Sequence, residues 1–373
     1  MKVGIITKHC IENYGSFMQA YGLQAAIEKL GHDVEIIDYV YPNKYHPTHR
    51  NLKAKVLHSI NYFLKNLLPG MPGKRFNKRY KDCWEEYYKL SKHYPDRDSI
   101  FSSPPIYDIY VAGSDQIWRP KFTNGDSFFF CDFAPKGYKR VSYASSFGCL
   151  NIPSEFKESY KSLLLKFSKI GVREKSAVNV VSDLANINSK QVIDPSLLLT
   201  SNEWRKISLS PNKNKDYIVC FGRIEMEFTH RIAREFANLY NCDVVRINGK
   251  FYDYFSRDMK YVLDAGPKEW LGLIDKAKIV IIGGSFHGTA FAIQFHKPFL
   301  SILSGNEDHD TRQKNLLSNL GLDDLAIYNS NYDVDVLGKM IMNIDWNGVD
   351  SKLNNLRLES YDPKIRNYHP IHD

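Results

Sequence analysis

The chain has 373 residues, of which 43% are apolar and 25% charged, and its formal net charge is +8. These values are typical of a globular protein with two domains of ordinary size, and they exclude an intrinsically disordered chain. No window reaches the roughly 18 uninterrupted apolar residues of a membrane span, and the apolar run after Met1 is too short for a signal peptide. We therefore expect a cytoplasmic protein.

The basic excess suggests an anionic partner. We interpret the excess as spread along the sequence, and because no compact recognition motif occurs we predict no nucleic-acid binding. An anionic small substrate and a negative membrane surface fit equally well, which leaves peripheral association with the inner face of a membrane open. The six cysteines form no C-x-x-C pair, and the acidic and histidine residues show no metal-ligand spacing, so we predict no metal site.

The N-terminal half alternates between apolar runs of strand length and segments of helical spacing. We predict a helix at 17–30 and strands at 2–7, 34–37, 107–112, 140–144, 169–172 and 191–193. This order predicts an α/β domain with a parallel, doubly wound sheet. Residues 43–100 break the pattern, and we interpret them as a helical insertion in the first domain with helices at 56–68 and 76–90. A basic solvated hairpin is favoured there over a dedicated binding element.

A second α/β series follows a polar stretch at 209–215 that is typical of a linker. We predict strands at 217–221, 243–247, 279–282 and 298–302, and helices at 229–240, after 267 and at 311–320. The chain is therefore expected to form two Rossmann-like domains, residues 1–208 and 209–373, with a polar tail that packs back on the first.

The segment KIVIIGGSFHGTAFAIQFHKPFL, from Lys278 to Leu300, carries the strongest functional signal. Its order predicts a buried strand, a tight turn through Gly284 and Ser285, and a helix that begins near His287. A helix N-terminus favours anions, because its first N–H groups lack partners and the helix dipole is positive there. A histidine at that point can move a proton near neutral pH. The segment predicts a phosphate or carboxylate site with a proton donor beside it.

Three arginines are candidates for binding the same anion. Arg173 and Arg223 each follow a predicted strand, and Arg312 lies near the start of a predicted helix. Open α/β sheets bind ligands at the carboxyl ends of their strands, and the planar guanidinium can bond two oxygens of a carboxylate or phosphate at once.

Two polar loops of the first domain are further candidates for substrate contact. Their residues are Asn13, Gly15 and Ser16 after the first strand, and Ser114, Asp115 and Gln116 after the strand at 107–112. Asp115 is either a base, a sugar-hydroxyl acceptor or a turn former, and Ser16 is alternatively a helix cap. Neither G-x-G-x-x-G in the first turn nor G-x-x-x-x-G-K-[ST] occurs, which disfavours NAD, FAD and P-loop nucleotide binding.

Taken together, these motifs resemble the polysaccharide pyruvyl transferase family. The matching pieces are KVGIIT, NYGSFMQAYGLQAAIEKLGHDVEIIDY, VAGSDQIW, GVREKSA, VIDPSLLL and GPKEWLGLIDKAKIVIIGGSFHGTAFAIQFHKPF. They lie between residue 2 and about residue 321, and the S-F-H-G-T and G-S-D-Q-x-W blocks are the most specific.

The resemblance implies a fold like that of B-type glycosyltransferases, with the active site in a cleft that the two domains face. It implies phosphoenolpyruvate as donor, no cofactor, and two hydroxyls of a sugar or lipid-linked glycan as acceptor, giving a pyruvate ketal on a cell-surface polysaccharide. His287 takes the family's catalytic position, and arginines hold the donor. Some members have arginine where this chain has Ser285, and many have a polar pair at Gly283-Gly284, so backbone N–H groups are expected to bind the donor there.

Two other functions remain open on the sequence. The first is a B-type glycosyltransferase that uses a nucleotide sugar, which needs an acidic ribose contact late in the second domain. The second is a non-catalytic glycan-binding module on an enzyme fold, against which the intact His287 and the three arginines argue.

Overall fold

A computed structural model describes residues 1–40, 52–68, 70–212, 215–249 and 258–361. These residues form two six-stranded sheets, in which every strand pairing is parallel, with helices between the strands. Parallel strands are covered on both faces and read as continuous apolar runs. The predicted α/β class with two Rossmann-like domains is confirmed.

The first unit comprises the described residues of Met1–Pro47, Tyr87–Leu199 and Ser351–Asp373. Its sheet has the order β2-β1-β3-β4-β5-β6. The strands are β1 Lys2–Ile6, β2 Asp33–Ile36, β3 Ile109–Ala112, β4 Lys139–Ser145, β5 Lys169–Val172 and β6 Lys190–Gln191. The helices wholly or almost wholly within it are α1 Tyr14–Lys29, α4 Arg97–Ser102, α5 Pro120–Thr123, α6 Ser154–Leu164 and α7 Lys175–Ala185, with 3₁₀ turns at Ser127–Phe130 and Pro195–Leu197.

The second unit comprises the described residues of Thr48–Glu86 and Thr200–Asp350. Its sheet has the order β12-β11-β10-β7-β8-β9. The strands are β7 Tyr217–Gly222, β8 Asp243–Ile247, β9 Lys260–Val262, β10 Ile279–Gly283, β11 Phe299–Ile302 and β12 Ala326–Ile327. The helices are α2 Leu52–Asn66, α3 Pro72–Tyr87, α8 Ser201–Ile207, α9 Met226–Tyr240, α10 Pro267–Asp275, α11 Phe286–Gln294, α12 Glu307–Leu320, α13 Val334–Met342 and α14 Trp346–Tyr361, the last of which ends in the first unit.

The division of the chain differs from the expected boundary after residue 208. Thr200 caps α8 with Glu203, and from there the contacts belong to the second unit: the ring of Trp204 meets Phe291 edge-on at 5.0 Å. The hairpin α2–α3, expected as part of the first domain, also groups with the second unit.

The C-terminal helix returns to the first unit. There the Arg357 Nε donates to the Leu197 carbonyl at 2.7 Å, and the Ser360 hydroxyl accepts from the Ile193 N–H at 3.4 Å. The C-terminal part of α14 therefore belongs to the first unit, where it contacts the segment that follows β6.

Across the described residues, no helix is both long and apolar enough to cross a membrane.

Candidate functional site

The first loop of the first unit is held by a helix cap. The Asn13 side chain accepts from the Ser16 N–H at 3.1 Å and caps α1, as asparagine commonly does. The alternative reading of Ser16 as the cap is therefore wrong. Its hydroxyl instead donates to Asp115 Oδ2 at 3.1 Å, and Gly15 lies buried in the first helical turn. The two predicted loops thus meet through Ser16 and Asp115.

Asp115 has a left-handed backbone conformation, with φ +75°. That region is uncommon for a residue other than glycine, and such residues concentrate at functional sites. Its carbonyl accepts from the Ile117 and Ser146 N–H groups at 2.8 and 3.0 Å, and its Oδ1 accepts from the Gln116 N–H at 2.8 Å. These bonds hold the half-buried carboxylate at the carboxyl edge of the sheet.

The tryptophan of the G-S-D-Q-x-W block is structural. Trp118 is fully buried and stacks on Phe130 with 5.1 Å between ring centres, and its Nε1–H donates to the Phe129 carbonyl at 3.0 Å. The block is thus anchored by the tryptophan in the core, and it presents Asp115 at the edge.

Arg173 lies at the carboxyl end of β5, as predicted, but its guanidinium is buried among carboxylates. Its Nη1 donates to Asp194 at 2.9 Å and its Nε to Glu174 at 3.3 Å. Burial alone would lower the pKa of Arg173, but the carboxylates of Glu174 and Asp194 raise it overall. The Ser114 hydroxyl donates to the same Asp194 at 3.1 Å, and the Ser146 hydroxyl donates to Glu174 at 2.5 Å.

The sequence analysis missed two buried cations beside Asp115, Lys8 and Arg119, which are only 3% and 8% exposed. Burial lowers the pKa of Lys8 to about 8, an effect that Asp115 opposes and Arg119 reinforces. The Arg119 Nη1 donates to Gln116 Oε1 at 2.6 Å. The signal available in the sequence was the position of Lys8, two residues after a buried strand at the edge that binds ligands in such sheets.

A further polar group surrounds Asp38, just after β2. His9 Nε2 lies 3.2 Å from Asp38 Oδ1, His93 Nδ1 lies 2.7 Å from Oδ2, and the Cys10 thiol donates to Oδ1 at 3.6 Å. Burial raises the pKa of Asp38, but the hydrogen bonds from the two histidines lower it to about 2. His9, Cys10 and Asp38 are close enough to share a cation. Hydrogen bonds account for their contacts, so we assign them no metal, and the expected absence of a metal stays a prediction.

In the second unit, the predicted strand–turn–helix is present at β10 and α11. Ser285 caps α11, its hydroxyl accepting from the Gly288 N–H at 3.1 Å. His287 is the second residue of the helix, is half-buried and meets the ring of Phe286 edge-on at 5.1 Å. The imidazole therefore lies in the first helical turn, where the dipole favours negative charge.

Close backbone packing explains the glycines before His287. The Gly283 carbonyl accepts from the N–H groups of Arg223 and Ile224 at 2.8 and 3.2 Å. A Cβ at Gly284, which has φ +65°, would lie 2.3 Å from the Ile224 side chain. A Cβ at Gly222, with φ +123°, would lie 2.0 Å from the Gly283 carbonyl oxygen. These positions require glycine because β7 and β10 approach closely at their ends.

We expect Gly222→Ala to lower the free energy of unfolding by about 2 kcal/mol or more, through backbone strain and the clash with Gly283. Denaturant unfolding followed by circular dichroism measures the effect. Gly31→Ala is the matched control, because Gly31 has φ +81° but open space around its Cα. An equal loss in both variants would contradict the role of the clash.

The two remaining arginines follow the strands on either side of β10. Arg223 is exposed at the end of β7, and Arg312 is half-buried in α12, which follows β11. Parallel neighbours end at the same sheet edge, so Arg223 lies at the edge where α11 begins, and Arg312 belongs to the helix that follows β11 from that edge. The loop before α12 is fixed by buried Asp310, which accepts from the N–H groups of Ser304 and Gly305 at 3.1 and 2.8 Å.

The predicted site residues therefore form two groups, one in each unit. The group of the first unit lies at the carboxyl edge of its sheet and contains Asn13, Gly15, Ser16, Ser114, Asp115, Gln116 and Arg173. The group of the second unit contains Gly284, Ser285 and His287, with Arg223 and Arg312 on the elements beside them.

Comparison with known protein families shows which family the chain belongs to. The family model described as Polysaccharide pyruvyl transferase matches residues 13–306, most of the chain. The chain belongs to the polysaccharide pyruvyl transferase family. It is therefore a transferase, and the resemblance drawn from the S-F-H-G-T and G-S-D-Q-x-W blocks is confirmed. No curated protein matches the sequence of this family member.

Solved structures similar to this pyruvyl transferase family member share its fold. The UDP-GlcNAc 2-epimerase of Methanocaldococcus jannaschii has a TM-score of 0.50 at 13% identity, over 97% of this chain and 100% of that chain. UGT89C1 of Arabidopsis thaliana in complex with quercetin has a TM-score of 0.50 at 11% identity, over 99% and 97% of the two chains. At these identities the likeness concerns the fold alone, and it supports the expected B-type glycosyltransferase architecture.

Proposed function

We propose that the protein transfers the pyruvyl group of phosphoenolpyruvate to two hydroxyls of a sugar, forming a pyruvate ketal during cell-surface polysaccharide biosynthesis. The observation that carries the proposal is the position of His287 in the first turn of α11, in a chain of the pyruvyl transferase family. A donor with both phosphate and carboxylate suits a helix N-terminus with arginines nearby.

Donor binding is assigned to the second unit. The donor carries a phosphate and a carboxylate. The positive end of α11, with the backbone of Gly284 and Ser285, would attract one of these two groups, and Arg223 and Arg312 would neutralise the other. Arg173 is the weaker donor ligand, because its Nε and Nη1 already donate to buried carboxylates. We assign Arg173 to positioning the edge of the first unit.

His287 is the proposed general acid. Its imidazolium gives a proton to the methylene carbon of phosphoenolpyruvate, and the central carbon becomes an electrophile. One sugar hydroxyl adds to that carbon, the bond to the phosphate oxygen breaks, and the second hydroxyl closes the ketal ring. One of the two hydroxyl protons replaces the proton that His287 gave up, and the other leaves with the released phosphate. No step needs a cofactor.

Acceptor binding is assigned to the first unit. Asp115 would orient or deprotonate a sugar hydroxyl, with Asn13, Ser16 and Gln116 as hydrogen-bonding neighbours. Lys8 joins this group because a lysine with a pKa of about 8 can exchange a proton near neutral pH. A glycan, rather than a nucleotide, fits a polar loop that has no dinucleotide fingerprint.

The test is to incubate the full chain with phosphoenolpyruvate and a panel of glycans, including lipid-linked ones, and to measure phosphate release and the gain of a pyruvyl group by mass spectrometry. We expect one acceptor class to gain a pyruvate and phosphate to be released in equal amount. Protection against thermal unfolding by a nucleotide diphosphate, but not by phosphoenolpyruvate, would instead favour a nucleotide-sugar glycosyltransferase.

The lowered pKa of Lys8 predicts a specific pH dependence of stability. Between pH 8 and 10.5 the unfolded chain binds the Lys8 proton more tightly than the folded chain does, so the contribution of Lys8 to the free energy of unfolding rises with pH across this window. Lys8→Met should remove that rise, and exposed Lys121→Met should keep it. Denaturant unfolding at several pH values measures the difference. A difference between wild type and Lys8→Met that is constant with pH would contradict the shift.

A further inference from the structure

The positive charge of the protein comes from one segment. The residues from Tyr39 to Lys81 include ten Lys or Arg and no Asp or Glu, which leaves 40 basic against 42 acidic residues in the rest of the chain. The expectation that the excess is spread along the sequence is therefore wrong. The described part of this segment is mainly the hairpin α2–α3 of the second unit.

The same hairpin exposes a cluster of large apolar side chains. Ile60, Phe63 and Leu67 are 49%, 60% and 47% exposed, and Tyr62 and Leu68 are 59% and 56% exposed. Residues three, four and seven positions apart share one face of a helix, so the first three make a stripe along α2 and just beyond its end. Five exposed apolar residues within nine positions are a patch, unlike the single exposed residues normal on a surface. A solvated hairpin, as predicted, does not explain it.

Other basic residues fix the hairpin to its unit. The Lys65 Nζ donates to the Gly249 carbonyl at 2.5 Å, and Arg75 Nε donates to Asp264 at 2.6 Å. Arg79 pairs with Asp264 and Glu269 at 3.3 and 3.1 Å. These contacts anchor α2 and α3 to the second unit, and the apolar stripe remains exposed.

We propose that the hairpin α2–α3 is a docking surface for an anionic phospholipid bilayer. The outward stripe would enter the boundary between headgroups and acyl chains, while exposed Lys74 on α3 meets the lipid phosphates. Lys78 and Lys81 lie on the same face of α3 and add positive charge there, although they also pair with Asp82 and Glu85 at 2.7 and 3.5 Å. An apolar stripe in an acid-free basic segment is the composition of helices that lie in a membrane interface. A nucleic acid would contact the lysines but leave Ile60, Phe63 and Leu67 exposed to water.

The test is co-sedimentation of the full chain with vesicles of phosphatidylcholine alone or mixed with phosphatidylglycerol, at low and physiological salt. We expect binding only to the anionic vesicles, weakened by salt. The double variant Phe63→Glu, Leu67→Glu should lower the partition coefficient at least tenfold, and Lys74→Gln, Lys78→Gln should lower it severalfold, at unchanged thermal unfolding.

The matched control is Val336→Glu, Leu358→Glu, which adds the same charge at side chains that are 61% and 65% exposed on α13 and α14. This control should bind vesicles nearly as wild type does. The proposal would be overturned by no binding of the wild type to anionic vesicles, or by equal binding of the Phe63 and Leu67 variant. Binding to a nucleic-acid duplex that needs the lysines but not Phe63, with no vesicle binding, would also overturn it, in favour of a polyanion site.

Discussion

Replacing His287 by glutamine is expected to lower turnover of phosphoenolpyruvate with its glycan acceptor by about 100- to 10,000-fold, the usual contribution of a positioned general acid. Glutamine keeps a polar side chain of similar reach in the first turn of α11 but cannot supply a proton. Phosphate release under saturating donor measures the effect. Donor binding, measured by calorimetry, should change much less than turnover, because the helix dipole and Arg223 remain.

The matched control is His296→Gln. His296 is an exposed histidine of the same unit, and its Nε2 lies 2.8 Å from Asp350. We expect near-normal turnover in this variant and a similar unfolding temperature in both. If His287→Gln kept near-normal phosphate release with the true acceptor, the acid would have to be another group.

Replacing Arg173 by methionine is expected to lower the free energy of unfolding by about 3–5 kcal/mol. The substitution leaves the carboxylates of Glu174 and Asp194 buried without the guanidinium that lies between them. Removing one partner of a buried ion pair is costly because the remaining charge has lost its hydration and gained no replacement. Denaturant unfolding of the full chain, followed by circular dichroism, gives the change.

The control for this experiment is Arg234→Met. Arg234 pairs with Asp258 at 3.1 Å, but the two side chains are 45% and 41% exposed, so solvent screens the pair and the loss should be at most about 1 kcal/mol. If Arg173→Met instead left stability nearly unchanged and weakened phosphoenolpyruvate binding tenfold or more, Arg173 would be a donor ligand, as the sequence first suggested.

The sequence predicted those strands whose own residues carry a recognisable pattern. The strands at Lys169–Val172 and Asp243–Ile247 have the predicted limits, since each is an apolar run bounded by polar residues. Strands β9 and β12 were not predicted. They have three and two residues and lie at the two edges of one sheet. Such short strands are defined by hydrogen bonds to a neighbouring strand. They are too short to show a pattern of apolar residues in the sequence.

The positions of candidate site residues were predictable where those residues lie on one consecutive segment. They were less predictable where the burial of a side chain determines its chemical properties. His287, Ser285 and the glycines lie together because strand, turn and helix are consecutive. Lys8 resembles any surface lysine in the sequence, and only the packing around it reveals its burial and lowered pKa. For Arg173, the position at the end of a strand was predicted correctly, but its ion pair was not. The carboxylate partner Asp194 comes from a distant segment of the sequence.

The chain crosses between its two units four times, and this has a consequence for synthesis on the ribosome. The first unit includes the last described turns of α14, where Arg357 bonds the carbonyl oxygens of Leu197 and Leu199. The N-terminal unit therefore cannot complete its fold until α14 has been synthesised, even though its sheet is made first. The second unit, whose residues all precede Ser351, is expected to reach its native structure earlier during synthesis, and a chain stalled at residue 350 should leave the first unit the more sensitive to protease.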